Sequence, residues 1–89
     1  MSDEGKRRAE MYRAAKAKEV FANEIFTEAI EHLRDRYKGE WATSPIDDIS
    51  GRERLYFLLQ ALEEFHGHLK SVVETGAMAE DEMHRKLMH

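Results

Sequence analysis

Apolar residues recur at three- and four-residue steps along most of the chain, the spacing of an amphipathic helix. In the first segment, residues 6 to about 38, Lys, Arg, Glu and Ala fill the opposite side. We expect this helix to end at Gly39 or at Thr43-Ser44-Pro45, because the residue before a proline disfavours helical backbone angles. Its apolar positions are Met11, Ala15, Ala22, Ile25, Phe26, Ala29, Ile30, Leu33 and Tyr37.

A second amphipathic segment follows a short connection, GEWATSPIDDIS. Ser50 and Glu53 have the S-x-x-E spacing of a capping box, which predicts a helix start near Gly51. Gly76 stands where helices commonly close, so we expect this helix to end at Thr75. Residues 77–89 then predict a short third helix. The apolar face of the second helix consists of Leu55, Leu58, Leu59, Leu62, Phe65, Leu69, Val72 and Val73.

These elements predict an all-α fold, an antiparallel hairpin of two long helices with a short C-terminal helix. The predicted regions are a basic arm at 1–18, the hairpin at 19–76 and a C-terminal helix or tail at 77–89. Each helix covers only part of its partner's apolar stripe, and Phe57 and Ala61 widen that of the second helix. With 89 residues and no cysteine, the chain has a small core and no disulfide. We therefore expect homo-oligomerisation into a helical bundle.

Charge is distributed unevenly along the chain. Residues 6–18 carry six basic side chains and one acid, a local charge of +5, whereas the whole chain carries −4. Such a segment is typical of an arm that makes weak contact with nucleic acid, or of a solvated helix start, which is the simpler interpretation. The basic residues of the arm are Lys6, Arg7, Arg8, Arg13, Lys16 and Lys18.

The sequence contains no apolar run of the roughly 20 residues that a membrane-spanning helix needs. Its charged start, MSDEGKRRAE, also lacks the apolar core of a signal peptide. We therefore expect synthesis in the cytoplasm and no membrane contact.

Glu63-x-x-His66 has the spacing with which ferritin-type helices hold iron. A di-iron site formed by dimerisation would also need an inward carboxylate from the first helix. The candidates Glu24, Glu28 and Glu31 lie roughly 110–170° from the centre of that helix's apolar stripe. Because the ligand set is incomplete, we predict no metal and no cofactor, and a di-iron module is the least favoured hypothesis.

No nucleophile with a base and acid partner, and no glycine-rich phosphate loop, is present in the sequence, so we predict that the protein is not an enzyme. Asp47 and Asp48 precede the second helix. Carboxylates are favoured there by the helix dipole and by the free backbone amides. We therefore predict a capping role for these two side chains.

Five residues are predicted to contact partner proteins. Gly67 lies inside a helix, where glycine costs about 1 kcal/mol relative to alanine, a cost that close approach of another backbone would offset. We therefore interpret Gly67 and His68 as a contact point between helices. The other candidates are Trp41, Arg52 and Arg54 at the loop end. For Trp41, closing the end of the hairpin is the main expectation and partner binding is the alternative.

The runs IFTEAIEHL, EWATSP, DDISGRERL, LLQALEEFHGHLKSVVETG and MA lie in order between Ile25 and Ala79. In this combination, the segment from Phe26 to Ala79 resembles a group of small bacteriophage and prophage proteins of unassigned function. Genes for that group often lie among those for head assembly and DNA packaging. The basic arm falls outside the resemblance. The resemblance implies a viral, helical, non-enzymatic protein in the host cytoplasm or in the virion.

We therefore expect a bacteriophage virion or assembly accessory protein that contacts itself and other phage structural proteins. A small phage inhibitor of a host defence or host enzyme is the alternative.

Overall fold

A computed structural model describes residues 2–88 as three α-helices. Helix α1 spans Ser2–Ala22, α2 spans Glu24–Thr43 and α3 spans Ile49–Met88. No strand occurs within this range, so the predicted all-α class is confirmed. None of these helices combines the length and apolar character needed to cross a bilayer.

The first predicted helix is interrupted at Asn23. We predicted one helix from residue 6 to about 38, but α1 ends at Ala22 and α2 begins at Glu24. The Asn23 amide donates a hydrogen bond to the Val20 carbonyl at 3.1 Å, the three-residue step of a tightened turn. Helix α2 ends at Thr43, the second of the two predicted stops, and Gly39 lies inside it.

Helix α3 begins two residues earlier than predicted, at Ile49. The Asp48 carboxylate oxygen Oδ1 accepts a hydrogen bond from the Gly51 amide at 3.1 Å, which is the N-cap arrangement. The capping role predicted for Asp48 is confirmed. The capping box of Ser50 and Glu53 is wrong, because Ser50 already lies inside the helix.

Helix α3 is one continuous helix of 40 residues. The predicted closure at Gly76 and the separate third helix are therefore wrong over residues 77–88. No described glycine has a positive φ angle, so Gly76 continues the helix instead of closing it. Residues 1 and 89, the outer ends of the predicted arm and tail, lie outside the described part of the chain.

The chain forms two compact units, and the first, here called the loop unit, contains residues 24–67. It consists of α2, the connection 44–48 and the first part of α3. Ile30 and Leu55 are the buried hydrophobic residues of this unit. The Phe26 and Phe65 rings also contact each other, with centroids 6.4 Å apart. Two buried aliphatic side chains make a shallow core for 44 residues.

The second unit, here called the terminal unit, combines residues 2–23 with residues 68–88. Its buried hydrophobic residues are all alanines, Ala14, Ala17 and Ala79. A Cβ atom built at Gly76 would lie 3.0 Å from the Glu10 carbonyl oxygen and well inside van der Waals contact with the Ala14 methyl group. Helix α1 and the last part of α3 therefore pack through small residues, with their backbones close together.

The sequence predicts that another helix backbone approaches closely at Gly67. Apart from its chain neighbours and the backbone of its own helix, no described atom lies within 4 Å of a Cβ built at Gly67, so no other helix of the described chain approaches it, and its contact with a partner stays a prediction. The glycine that meets another backbone is Gly76, nine positions further along the same helix.

Candidate protein-binding surfaces

Five apolar residues of the loop unit form a stripe that no other part of this unit covers. Ile25, Phe57 and Phe65 are 72%, 59% and 50% exposed, respectively, and Ala29 and Ala61 are also exposed. Within each helix these residues are four positions apart, so they form a continuous stripe along it. We call this set the aromatic face.

The residues of the aromatic face lie on the same side of the helix pair. Phe65 on α3 packs against Phe26 on α2, at the end of the helix pair where Ile25 lies. The opposite edge is marked by an ion pair, in which Nε of Arg34 lies 2.6 Å from Oε1 of Glu63. At 100° per residue, Glu63 lies about 160° around α3 from Phe65, and Arg34 lies about 180° around α2 from Ile25.

The aromatic face carries few of the acidic side chains of the loop unit. This unit contains ten acidic and five basic side chains, a net charge of −5. By helical geometry, two of those acids fall within about 20° of the two stripes of the face, Glu64 on α3 and Glu40 on α2. The Glu40 carboxylate is paired with Arg36 at 3.1 Å. Most of the acids therefore lie on the outer surfaces, away from the apolar residues.

Arg52 holds the loop end of this unit together. Its guanidinium lies over the Trp41 ring, 4.2 Å from the centroid, and Nη1 donates a hydrogen bond to Oγ of Ser44 at 2.9 Å. Two of the predicted partner residues are therefore brought together, with Arg52 engaged inside the chain and Trp41 half-exposed. Arg54 is exposed and has no ion pair among residues 2–88. Their contact with a partner stays a prediction.

The predicted basic arm belongs to α1, and two of its cations face acids: Nζ of Lys16 lies 3.8 Å from Oε2 of Glu19, and Arg7 is paired more closely. Nε of Arg7 lies 2.6 Å from Oε2 of Glu82, and Nη1 of Arg7 is buried without a hydrogen-bond partner. A groove of about 300 Å³ beside this pair is also lined by Asp3, Lys6 and Glu10. Acids therefore accompany both Lys6 and Arg7 at this end of the helix. The arm residues outside this groove, Arg8, Arg13, Lys16 and Lys18, are exposed.

A second groove in the terminal unit brings a predicted partner residue next to a predicted arm residue. His68 and Arg13 both line this groove of about 220 Å³, together with Glu10 and Ser71. The Ser71 hydroxyl donates to the His68 carbonyl at 2.6 Å, and the imidazole is exposed. The groove combines cationic, acidic and neutral groups, an arrangement without a single ligand preference.

The carboxylate of Glu63, in the Glu63-x-x-His66 motif, accepts a hydrogen bond from an arginine. The Arg34 side chain donates a hydrogen bond to Glu63, which lowers the pKa of Glu63 and raises that of Arg34. Between residues 2 and 88, no group of three His, Asp or Glu side chains is placed to hold a metal ion.

Three residues of the aromatic face belong to the apolar stripes that the sequence predicts. Ile25, Ala29 and Phe65 lie on those stripes and are exposed, so they fall in the part that the partner helix leaves uncovered. The available signal for the face was the i, i+4, i+8 series Phe57, Ala61 and Phe65, which lies to one side of the leucine stripe.

Comparisons with models of known protein families, with functionally curated proteins and with solved structures return no match for this chain. The relation to the phage group therefore rests on the sequence runs quoted above alone.

Proposed function

We propose that the protein is a non-enzymatic accessory protein that works by docking its aromatic face onto other protein. The observation that supports this proposal is the exposure of Ile25, Phe57 and Phe65 beside a core of only two buried aliphatic side chains. Apolar residues grouped on one side, with charged groups around them, are typical of protein interaction sites.

The resemblance to small phage proteins gives this activity a setting. In this proposal, the protein assists head assembly or DNA packaging in the host cytoplasm or in the virion. The helical hairpin is completed there by oligomerisation and by phage structural proteins. The exposed cations of α1, such as Arg8 and Arg13, add a weak, salt-dependent contact with nucleic acid.

Site-specific photocrosslinking in phage-producing cells tests the proposal. A benzoylphenylalanine residue replaces Phe57 in one variant and the neighbouring Tyr56 in a control. Tyr56 is also exposed; its side chain leaves the helix about 100° around from Phe57, although the edge of one ring contacts the other. We expect position 57 to capture capsid, portal or packaging proteins more strongly than position 56. Equal labelling at both positions would contradict docking through the aromatic face.

Inhibition of a host enzyme is the second candidate, and the charge of the loop unit favours it. A net charge of −5 carried on outer helix surfaces is suited to occupying the basic cleft of a nucleic-acid enzyme. In the same experiment, capture of a host nuclease in place of phage structural proteins would support inhibition. A nuclease assay with added purified protein then measures the activity lost.

A further inference from the structure

We propose that one occupant of the aromatic face is a second copy of this chain, with the two α3 helices packed antiparallel around a two-fold axis near Leu59. This inference deepens the proposed function by naming a partner of the same surface, and it rests on that proposal. Three features of the loop unit support it, namely the exposed apolar area, the order of large and small side chains, and two unpaired charges.

The exposed apolar area is sufficient for the centre of a dimer interface. A fully covered aromatic side chain buries about 150–250 Å², so Phe57 and Phe65 at their present exposure leave about 100 Å² each. Ile25 is still more exposed and adds a comparable area. A standard interface buries roughly 800 Å² on each partner, of which only the centre is strongly apolar. The aromatic face provides such a centre, and the flanking helix surfaces provide the rest.

The order of side chains along α3 is self-complementary. Phe57 and Ala61 are equally distant from position 59, so a two-fold axis there places each Phe57 over Ala61 of the second copy. A large ring then packs against a methyl group at two symmetric points. Small residues at a helix crossing permit close approach of the two backbones. The nearby Phe65 and Ile25 extend the apolar contact on either side.

Unpaired charges on the same side of α3 agree with the same axis. Arg54 and Glu64 are exposed, and neither has an ion-pair partner among the described residues. They too are equally distant from position 59, so antiparallel packing brings each Arg54 within reach of Glu64 of the second copy. One axis therefore satisfies both the large-to-small pair and the charge pair.

The state of association of the purified full-length chain tests this inference. We expect sedimentation equilibrium to show a monomer–dimer equilibrium. A monomer at about 100 μM, a concentration at which even a weak specific interface is occupied, or a stoichiometry other than two would overturn the proposal. Phe57→Asp should raise the dimer dissociation constant by roughly thirtyfold, the effect of removing a central aromatic residue. The matched control Tyr56→Asp introduces the same charge one position away; because the Tyr56 ring contacts the Phe57 ring, it should weaken the dimer, but less than Phe57→Asp does.

Charge reversal tests the position of the axis independently of the apolar contact. Arg54→Glu and Glu64→Arg each place like charges together and should each weaken the dimer by about tenfold. The double variant should recover the wild-type constant. Additive weakening in the double variant, or equal effects of Phe57→Asp and Tyr56→Asp, would overturn the arrangement. Circular dichroism of every variant confirms that the helices are intact.

The outcome is separable from that of the proposed function. A monomeric chain that still crosslinks phage proteins through position 57 would remove self-association alone. A dimer without such crosslinks would remove the docking onto phage proteins and leave the self-association intact.

Discussion

Replacing Gly76 by alanine adds one methyl group at the contact between α1 and α3. A Cβ atom at this position would lie inside van der Waals contact with the Ala14 side chain and 3.0 Å from the backbone oxygen of Glu10. Overpacking of this kind costs about 1–3 kcal/mol, against which alanine gains about 1 kcal/mol of helix propensity. We therefore expect Gly76→Ala to lower the free energy of unfolding by up to about 2 kcal/mol.

Gly67→Ala is the matched control in the same helix. Apart from chain neighbours and the backbone of the same helix, no described atom lies within 4 Å of its added Cβ, so only the propensity gain remains. We expect stabilisation of about 0.4–1 kcal/mol. The two substitutions are chemically identical, and the difference between them isolates the helix contact. Urea denaturation followed by circular dichroism measures both free energies.

A double variant tests whether the cost arises at Ala14. Removing the opposing methyl group in Ala14→Gly should offset part of the cost of Gly76→Ala. This predicts a coupling energy of about 0.5–3 kcal/mol in a double-mutant cycle. Hydrogen exchange should also show faster opening of α1, but not of α2, in Gly76→Ala. The close contact would be refuted if Gly76→Ala stabilised the protein as much as Gly67→Ala does. Strictly additive effects of Ala14→Gly and Gly76→Ala would refute it as well.

Three further predictions concern charged groups. Because Arg34 lowers the pKa of Glu63, their pair should stabilise the fold above the ordinary pKa of 4.5 and lose that contribution as the pH falls below it. Because Glu63 is half-exposed, the free energies of unfolding of wild type and Arg34→Met, measured by urea titration, should differ by at most about 1 kcal/mol at neutral pH. This difference should become smaller in acid. An equal difference at pH 3 would contradict this. Asp48→Ala should lower the free energy of unfolding by about 0.5–2 kcal/mol because the N-cap is lost. Asp47→Ala should lower it by less. The double variant Arg8→Gln, Arg13→Gln should lose two phosphate contacts. A plot of log K for DNA binding against log salt concentration should therefore become less steep by about two. No DNA binding by the wild type at low salt would remove the contact.

The helical class followed from the sequence because apolar periodicity and helix propensity are local properties. The interruption at Asn23 was missed because a single asparagine without proline or glycine is a weak signal, even though asparagine is favoured at helix starts. The continuation of α3 through Gly76 was missed because glycine serves both to close helices and to admit a neighbouring backbone. Only the position of α1 against Gly76 distinguishes these roles.

The candidate site could be predicted only in part for a related reason. The four-residue spacing of Phe57, Ala61 and Phe65 is visible in the sequence, and it indicates a shared stripe. Whether a neighbouring helix covers that stripe depends on the rotation of α3 about its own axis. The contacts of α3 with α2, such as that between Phe26 and Phe65, show that rotation, and sequence periodicity does not specify it.

The shallow core of the loop unit bears on the lifetime of the chain in a cell. Only Ile30 and Leu55 are buried hydrophobic residues there. Much of the stability of this unit would therefore come from the binding of a partner protein to its folded state. A copy left without such a neighbour opens more often and is exposed to proteases. Surplus copies would then be cleared, and the amount of protein retained would follow the supply of its binding sites.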